Sequence, residues 1–179
     1  MKRVFCTAVA LMIATVAFAG TTANLDNMTP QQAMDKMTNC PVCSAFMVDP
    51  ALGPTIRHSV FATKTGYVET MMTADAGMMP SFKKAEAECE RRAGTIPTMT
   101  QAEKDKLCPI CTGRMAFMGR ADAAVENFNT DMGVITVASS NTPEGVKALH
   151  DYAATSEHFG GLLAKAGMDM GKEPMKSKM

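Results

Sequence analysis

The sequence predicts an α+β protein made of two similar halves, with antiparallel strands covered by helices. A Cys-Pro-aliphatic-Cys motif occurs twice, at Cys40–Cys43 and Cys108–Cys111, with a spacing of 68 residues. After each motif comes a segment rich in Val, Thr and aromatic residues around a glycine, which is typical of a β-hairpin. Apolar residues at helical spacing follow each hairpin. Each half is therefore expected to be one copy of a duplicated helix–CPxC–β-hairpin–helix unit, and a pseudo-two-fold axis is expected to relate the halves.

A helix is predicted before each motif. The segments Thr29–Gln32 and Thr100–Glu103 both have the pattern of a capping box, which marks the start of a helix. The proline inside each motif cannot continue a helix, so the capped helix should end just before it and a new short helix should begin with it. This places Cys40 and Cys108 at N-cap-like positions and the second cysteine of each motif in the first turn of the new helix.

The two hairpins are predicted over residues 58–73 and 125–140. Their matching positions lie 67 residues apart and are Phe61, Gly66 and Val68 in the first and Phe128, Gly133 and Ile135 in the second. We expect them to form one four-stranded antiparallel sheet or two adjoining ribbons, because an isolated hairpin is not stable on its own. A helix should start near Pro80 and another near Pro143, where a first-turn proline is tolerated.

The chain is predicted to divide into four segments. Residues 1–19 form a signal peptide, 20–94 the first half, 95–166 the second half, and 167–179 a methionine-rich disordered tail whose methionines have no core to fill. The two halves are expected to share one compact domain.

The first segment has the features of a secretory signal. Lys2 and Arg3 precede an apolar run over residues 4–18, and small residues flank an expected cleavage site near Ala19. No later segment is apolar enough to cross a membrane. The mature chain is therefore expected in the periplasm or outside the cell, where disulfides are permitted.

Charge and composition argue against several classes of protein. The chain has 18 basic and 18 acidic residues, and loss of Lys2 and Arg3 leaves a net charge of −2, which provides no attraction for nucleic acid. It has no tryptophan and 2 tyrosines, so base-stacking surfaces are not expected. The patterns of a serine nucleophile elbow, a phosphate loop, a zinc-protease helix and an EF-hand do not occur, which favours a protein that is not an enzyme.

Sulfur is the main chemical signal. The chain contains 18 methionines, and a methionine follows each motif at the same distance, Met47 after Cys43 and Met115 after Cys111. Four residues correspond to one helical turn, so each half is expected to direct two thiols and a thioether to one point. Such ligands suit Cu(I), and four thiolates suit Zn²⁺. The expected ligands are Cys40, Cys43, Cys108 and Cys111, with Met47 and Met115 as auxiliary ligands.

Two alternatives use the same residues. In an exported protein the motif cysteines can form structural disulfides, in a module whose partner is another periplasmic protein, or they can catalyse thiol–disulfide exchange. Cys89 lies on the apolar face of a predicted helix with Phe82 and Ala85, where a buried and unreactive thiol is expected.

Overall fold

The computed structural model describes residues 25–168, so the predicted signal peptide and residues 169–179 of the predicted tail lie outside the described residues. The helices are α1 (Pro30–Asn39), α2 (Met79–Ala93), α3 (Gln101–Lys104), α4 (Pro109–Met115) and α5 (Pro143–Lys165). The strands are β1 (Ile56–Thr63), β2 (Gly66–Thr73), β3 (Ala123–Asn129) and β4 (Gly133–Ser140). The α+β class and the order of elements agree with the sequence prediction.

The four strands form a single antiparallel sheet in the order β1-β2-β4-β3. The two predicted hairpins, β1–β2 and β3–β4, lie side by side, and their second strands pair at the centre of the sheet. This close pairing requires glycine at two positions, because a Cβ atom at Gly66 would clash with the Ala138 carbonyl oxygen and one at Gly133 would clash with the Met71 carbonyl oxygen. Of the two expected arrangements, the structure has the single sheet.

Helices cover one face of this sheet. The long helix α5 contacts β1, β2 and β4 and buries Leu149, Tyr152 and Ala153 against them. Apart from Gly66 and Gly133, residues of the opposite face are half-buried or exposed, and Phe61 and Phe128 are 55% and 49% exposed. The prediction that helices cover the strands therefore applies to one face of the sheet.

Both predicted capping boxes are formed. The Thr29 side chain accepts a hydrogen bond from the Gln32 backbone N–H, and the Gln32 side chain accepts one from the Thr29 N–H. Thr100 and Glu103 make the equivalent pair at the start of α3. The first box opens a helix of 10 residues and the second a helix of only 4. Local capping therefore marks where each helix begins, but it does not determine helix length.

The C-terminal end of the described chain differs from the prediction of a tail beginning at residue 167. Met168 is 3% exposed and belongs to the main apolar core, where it packs beside Gly53. Its backbone N–H donates a hydrogen bond to the Leu163 carbonyl. This methionine therefore does have a core to fill. Among residues 25–168, no helix combines the length and the apolar character that a membrane span needs.

Candidate metal centre

The first motif follows the end of α1. Cys40 is the C-cap of this helix and has extended backbone angles, and a short turn then leads into a 3₁₀ helix, Cys43–Met47. The Cys43 backbone N–H points to the Cys40 sulfur at 3.4 Å, and the Ser44 N–H bonds the Cys40 carbonyl at 3.1 Å. The proline ends α1 as predicted. The predicted N-cap-like position of Cys40 is wrong, because the turn makes Val42 the N-cap of the new helix.

The second motif opens α4. Cys108 is the N-cap with extended backbone angles, Pro109 is the first helical residue, and Cys111 lies in the first turn. The Thr112 N–H bonds the Cys108 carbonyl at 3.0 Å, which is the counterpart of the bond between Ser44 and Cys40. The predicted geometry of this motif is confirmed.

The two motifs meet in the interior. The Cys43 sulfur lies 3.2 Å from the Cys111 sulfur and 3.4 Å from the Cys108 sulfur, and the Cys40 sulfur lies 3.8 Å from that of Cys111. All four sulfur atoms lie within 4.8 Å of one another. We call these residues the cysteine cluster: Cys40, Cys43, Cys108 and Cys111. The described cysteines are all free thiols.

The cysteine cluster has the size of a tetrahedral metal site. Sulfur atoms about 2.3 Å from a tetrahedral Zn²⁺ lie about 3.8 Å from one another, close to the separations observed here. The four residues are at most 6% exposed and sit in the main core with Met37, Phe46 and Phe82. The site is therefore a closed, sulfur-only ligand set, of the kind that holds structural Zn²⁺ or binds soft ions.

The thiols of the cluster strongly affect one another's protonation. Hydrogen bonding with Cys108 and then with Cys111 lowers the pKa of the Cys40 thiol far below its ordinary value. Hydrogen bonding with the same two neighbours raises the pKa of Cys43, and burial raises it further. Cys40 is therefore more readily deprotonated than Cys43. A cation that replaces those protons would convert the whole cluster into ligands.

Cys89 lies beside this cluster. It is half-buried on α2, packs against the core that contains the cluster, and its thiol interacts with that of Cys43. This interaction is the main cause that lowers the pKa of Cys89, and the guanidinium groups of Arg114 and Arg92 act in the same direction. The apolar helical face predicted for Cys89 agrees with this packing, but its predicted burial does not, because the residue is only half-buried. The contact with Cys43 was not predicted, because no sequence pattern connects α2 to the motifs.

Met47 and Met115 are both half-buried and both pack against the main core. The two differ in the helix that carries them. Residues advance by about 120° in a 3₁₀ helix and by about 100° in an α-helix, so Met47 is rotated about 120° from Cys43, whereas Met115 is only about 40° from Cys111. Only the second half keeps the one-turn relation that the sequence suggested.

A second buried polar cluster lies under the sheet and was not recognised in the sequence. It consists of Glu69 on β2, His58 on β1, Arg114 on α4 and Tyr152 on α5, and we call it the Glu69 network. Glu69 is 4% exposed. The alternation of strand residues places Glu69 on the same face as Tyr67. This was the one sequence feature that could have indicated a buried carboxylate.

The Glu69 carboxylate is fully engaged. Its Oε1 lies 2.8 Å from His58 Nε2, its Oε2 accepts a 2.7 Å bond from Arg114, and the Tyr152 hydroxyl lies 2.9 Å and 3.0 Å from the two oxygens. Burial alone raises the pKa of Glu69, but Arg114 and His58 outweigh burial and lower it to about 2. The network is a charge-balanced structural unit and leaves the carboxylate no free oxygen for a ligand.

The chain was compared with known proteins in three ways. Neither the family models nor the curated proteins nor the solved structures gave a match. The site itself is therefore the basis for assigning a function.

Proposed function

We propose that this chain is an exported soft-metal-binding protein whose cysteine cluster holds one Zn²⁺ or Cu(I). The proposal rests on one observation: four buried thiols from two distant motifs have their sulfur atoms within 4.8 Å of one another. Uncharged thiols offer weak hydrogen bonds, so this convergence brings little stability by itself. A soft cation bound to four thiolates explains why they are gathered.

The distances favour a metal over disulfides as the partner of the cluster. The Cys43 sulfur is almost equally close to those of Cys111 and Cys108, at 3.2 Å and 3.4 Å. A disulfide would engage only one of these neighbours and would need a sulfur separation of about 2.05 Å. A tetrahedral ion engages all four sulfur atoms at separations close to those present.

Zn²⁺ and Cu(I) make different use of the site. Zn²⁺ requires the four thiolates alone and keeps a tetrahedral geometry. Cu(I) favours soft sulfur ligands, including thioethers. Met47 and Met115 are the proposed auxiliary ligands for Cu(I), and the α-helical turn between Cys111 and Met115 makes Met115 the better placed of the two.

The proposed internal duplication explains why two similar motifs supply the site. The strand register supports it, because Ile56 pairs with Thr73 just as Ala123, 67 residues later, pairs with Ser140. At the centre of the sheet, Glu69 pairs with Thr136, its own counterpart at the same spacing. A pseudo-two-fold axis through that pair would relate the hairpins.

Export is part of the proposal and rests on the sequence of residues 1–19. The basic start, the apolar run and the small residues before Gly20 are the support for cleavage near Ala19. The mass of the mature protein recovered from the periplasm or the medium tests it. A mass that still includes residues 1–19 would contradict this part alone.

Metal content and thiol state test the site directly. The protein is purified from its own compartment without reductant or chelator, and zinc and copper are measured by elemental analysis beside a count of reactive thiols in denaturant. We expect about one metal ion per chain together with free thiols. A double variant, Cys40→Ser with Cys108→Ser, should lose the metal.

Each alternative predicts a different outcome. Metal-free protein whose motif cysteines react only after reduction would contradict metal binding and favour structural disulfides. Rapid catalysis of disulfide reduction that is abolished by either Cys40→Ser or Cys108→Ser would instead favour an oxidoreductase.

A further inference from the structure

The proposed metal site is closed to metal acceptors in solution. All four cluster residues are at most 6% exposed, and apolar side chains surround them. An ion bound there has no open coordination position, and an external acceptor cannot reach a cluster sulfur without displacing part of the core. Exchange of the ion therefore requires a ligand that reaches both the cluster and the surface.

Cys89 meets this requirement among the described cysteines. It packs against the core that contains the cluster, yet the residue is half-buried, whereas the cluster cysteines are buried. It lies on α2, which packs against the 3₁₀ helix that carries Cys43. Cys89 therefore lies between the core that contains the ligand set and the surface of the protein.

We propose that Cys89 is the exchange thiol of the metal centre, through which the ion enters and leaves. This inference rests on the proposed function, since it assigns a route to the ion of that site. In a loaded protein the Cys89 sulfur attacks the ion, and a metal–sulfur bond to Cys89 forms as the bond to Cys43 breaks. The proton of the Cys89 thiol passes to the departing Cys43 sulfur, so no electrons are exchanged and charge is conserved.

The position of Cys43 explains why it is the ligand that exchanges. It lies in the 3₁₀ helix, whose hydrogen bonds are poorer than those of the α-helix that carries Cys111. This 3₁₀ helix is also the one against which α2, the helix of Cys89, packs. The ion is then held by Cys89 and the remaining three thiolates, with one ligand that an acceptor can attack from outside.

The test follows zinc transfer from the loaded mature protein, which lacks residues 1–19 and therefore Cys6, to excess 4-(2-pyridylazo)resorcinol. The variants are Cys89→Ser and, as a matched control, Ala93→Ser, which introduces the same hydroxyl one turn further along α2 at another half-buried core position. We expect Cys89→Ser to bind one zinc ion with nearly unchanged affinity but to release it about tenfold more slowly. Ala93→Ser should transfer zinc at the wild-type rate.

Alkylation provides a second readout. Iodoacetamide should modify one thiol of the zinc-loaded wild-type protein, located at Cys89 by peptide mass, and none in Cys89→Ser. A transfer rate in Cys89→Ser equal to that of the control would overturn the proposal. A large loss of zinc affinity in that variant would also overturn it, since Cys89 would then be a permanent ligand. Wild-type protein that takes up no zinc or copper at all contradicts the proposed function instead, before any rate is compared.

Discussion

The Glu69 network and the cysteine cluster lie close together, but their buried polar groups are stabilised in different ways. In the Glu69 network, a carboxylate is matched by the guanidinium of Arg114 and by hydrogen bonds from neighbouring side chains. In the cysteine cluster, the sulfur neighbours within 4 Å of each sulfur are other thiols. Buried polar groups need partners of opposite character. The first cluster finds them within the chain, whereas the second has only sulfur ligands and would be completed by a cation.

The two clusters share one structural element. Helix α4 carries Cys111 in its first turn and Arg114 one turn later, so the ion pair between Arg114 and Glu69 anchors the second motif to the sheet. The Glu69 network is therefore best understood as a support that positions half of the candidate metal site.

Metal binding should have the largest effect on stability. It tests most directly whether the cysteine cluster, unlike the Glu69 network, needs a cation. With free zinc about 1,000-fold above the dissociation constant, the free energy of unfolding should rise by about 4 kcal/mol, because zinc binds the folded site. Urea unfolding with zinc and with a chelator measures this. The Cys40→Ser, Cys108→Ser double variant should show no difference between the two conditions, and an equal response in that variant would contradict the assignment.

Removing the charge of Glu69 should have the next largest effect. Glu69→Gln leaves the half-exposed Arg114 and the buried His58 around a neutral amide. Loss of the buried carboxylate charge, with its ion pair and hydrogen bonds, should lower the free energy of unfolding by about 3 kcal/mol. Urea unfolding of the metal-free variant measures it. One zinc ion should still bind. A variant that no longer binds one zinc ion would show that zinc binding by the cysteine cluster depends on the charge of Glu69.

Acid should destabilise the protein through the same carboxylate. The pKa of Glu69 is lowered from an ordinary 4.5 to about 2, so its stabilising contribution is complete above pH 4.5 and is lost as the pH falls through about 2. Between pH 6 and pH 3 this amounts to about 2 kcal/mol. The pH dependence of urea unfolding for metal-free protein measures it. Glu69→Gln is the control, and its profile should be flatter by that amount.

Tyr152→Phe should have the smallest effect. The hydroxyl of Tyr152 bonds both oxygens of Glu69 and accepts a bond from Arg114, but each of those oxygens keeps a second partner. The loss should therefore be about 1 kcal/mol. A loss as large as that of Glu69→Gln would mean that the hydroxyl, rather than the guanidinium, holds the network together.

Much of the local structure could be predicted from sequence. The capping boxes at Thr29 and Thr100, the helix breaks at the motif prolines and the hairpins around Gly66 and Gly133 all depend on neighbouring residues. The incorrect details have identifiable causes. The first motif forms a turn and a 3₁₀ helix where an α-helix was expected, and Met168 fills a space beside Gly53 that no local pattern reveals.

The candidate site was predicted in part. The repeated motif predicted the four cysteines as metal ligands, and the tertiary structure brings them together. The role proposed for Cys89 could not be predicted, because its contact with Cys43 depends on how α2 packs. The Glu69 network is formed by residues on β1, β2, α4 and α5, none of which has a recognisable pattern.

The sequence by itself determined the class of fold, the order of its elements and the identity of the sulfur residues, since these follow from periodicity, capping, proline geometry and composition. Only the tertiary structure decided that the two hairpins share one sheet, that helices cover one of its faces, and that the four thiols meet. The sulfur contacts join residues that are 65 to 71 positions apart in the chain. Their distances depend on the packing of the whole domain, which no local pattern encodes.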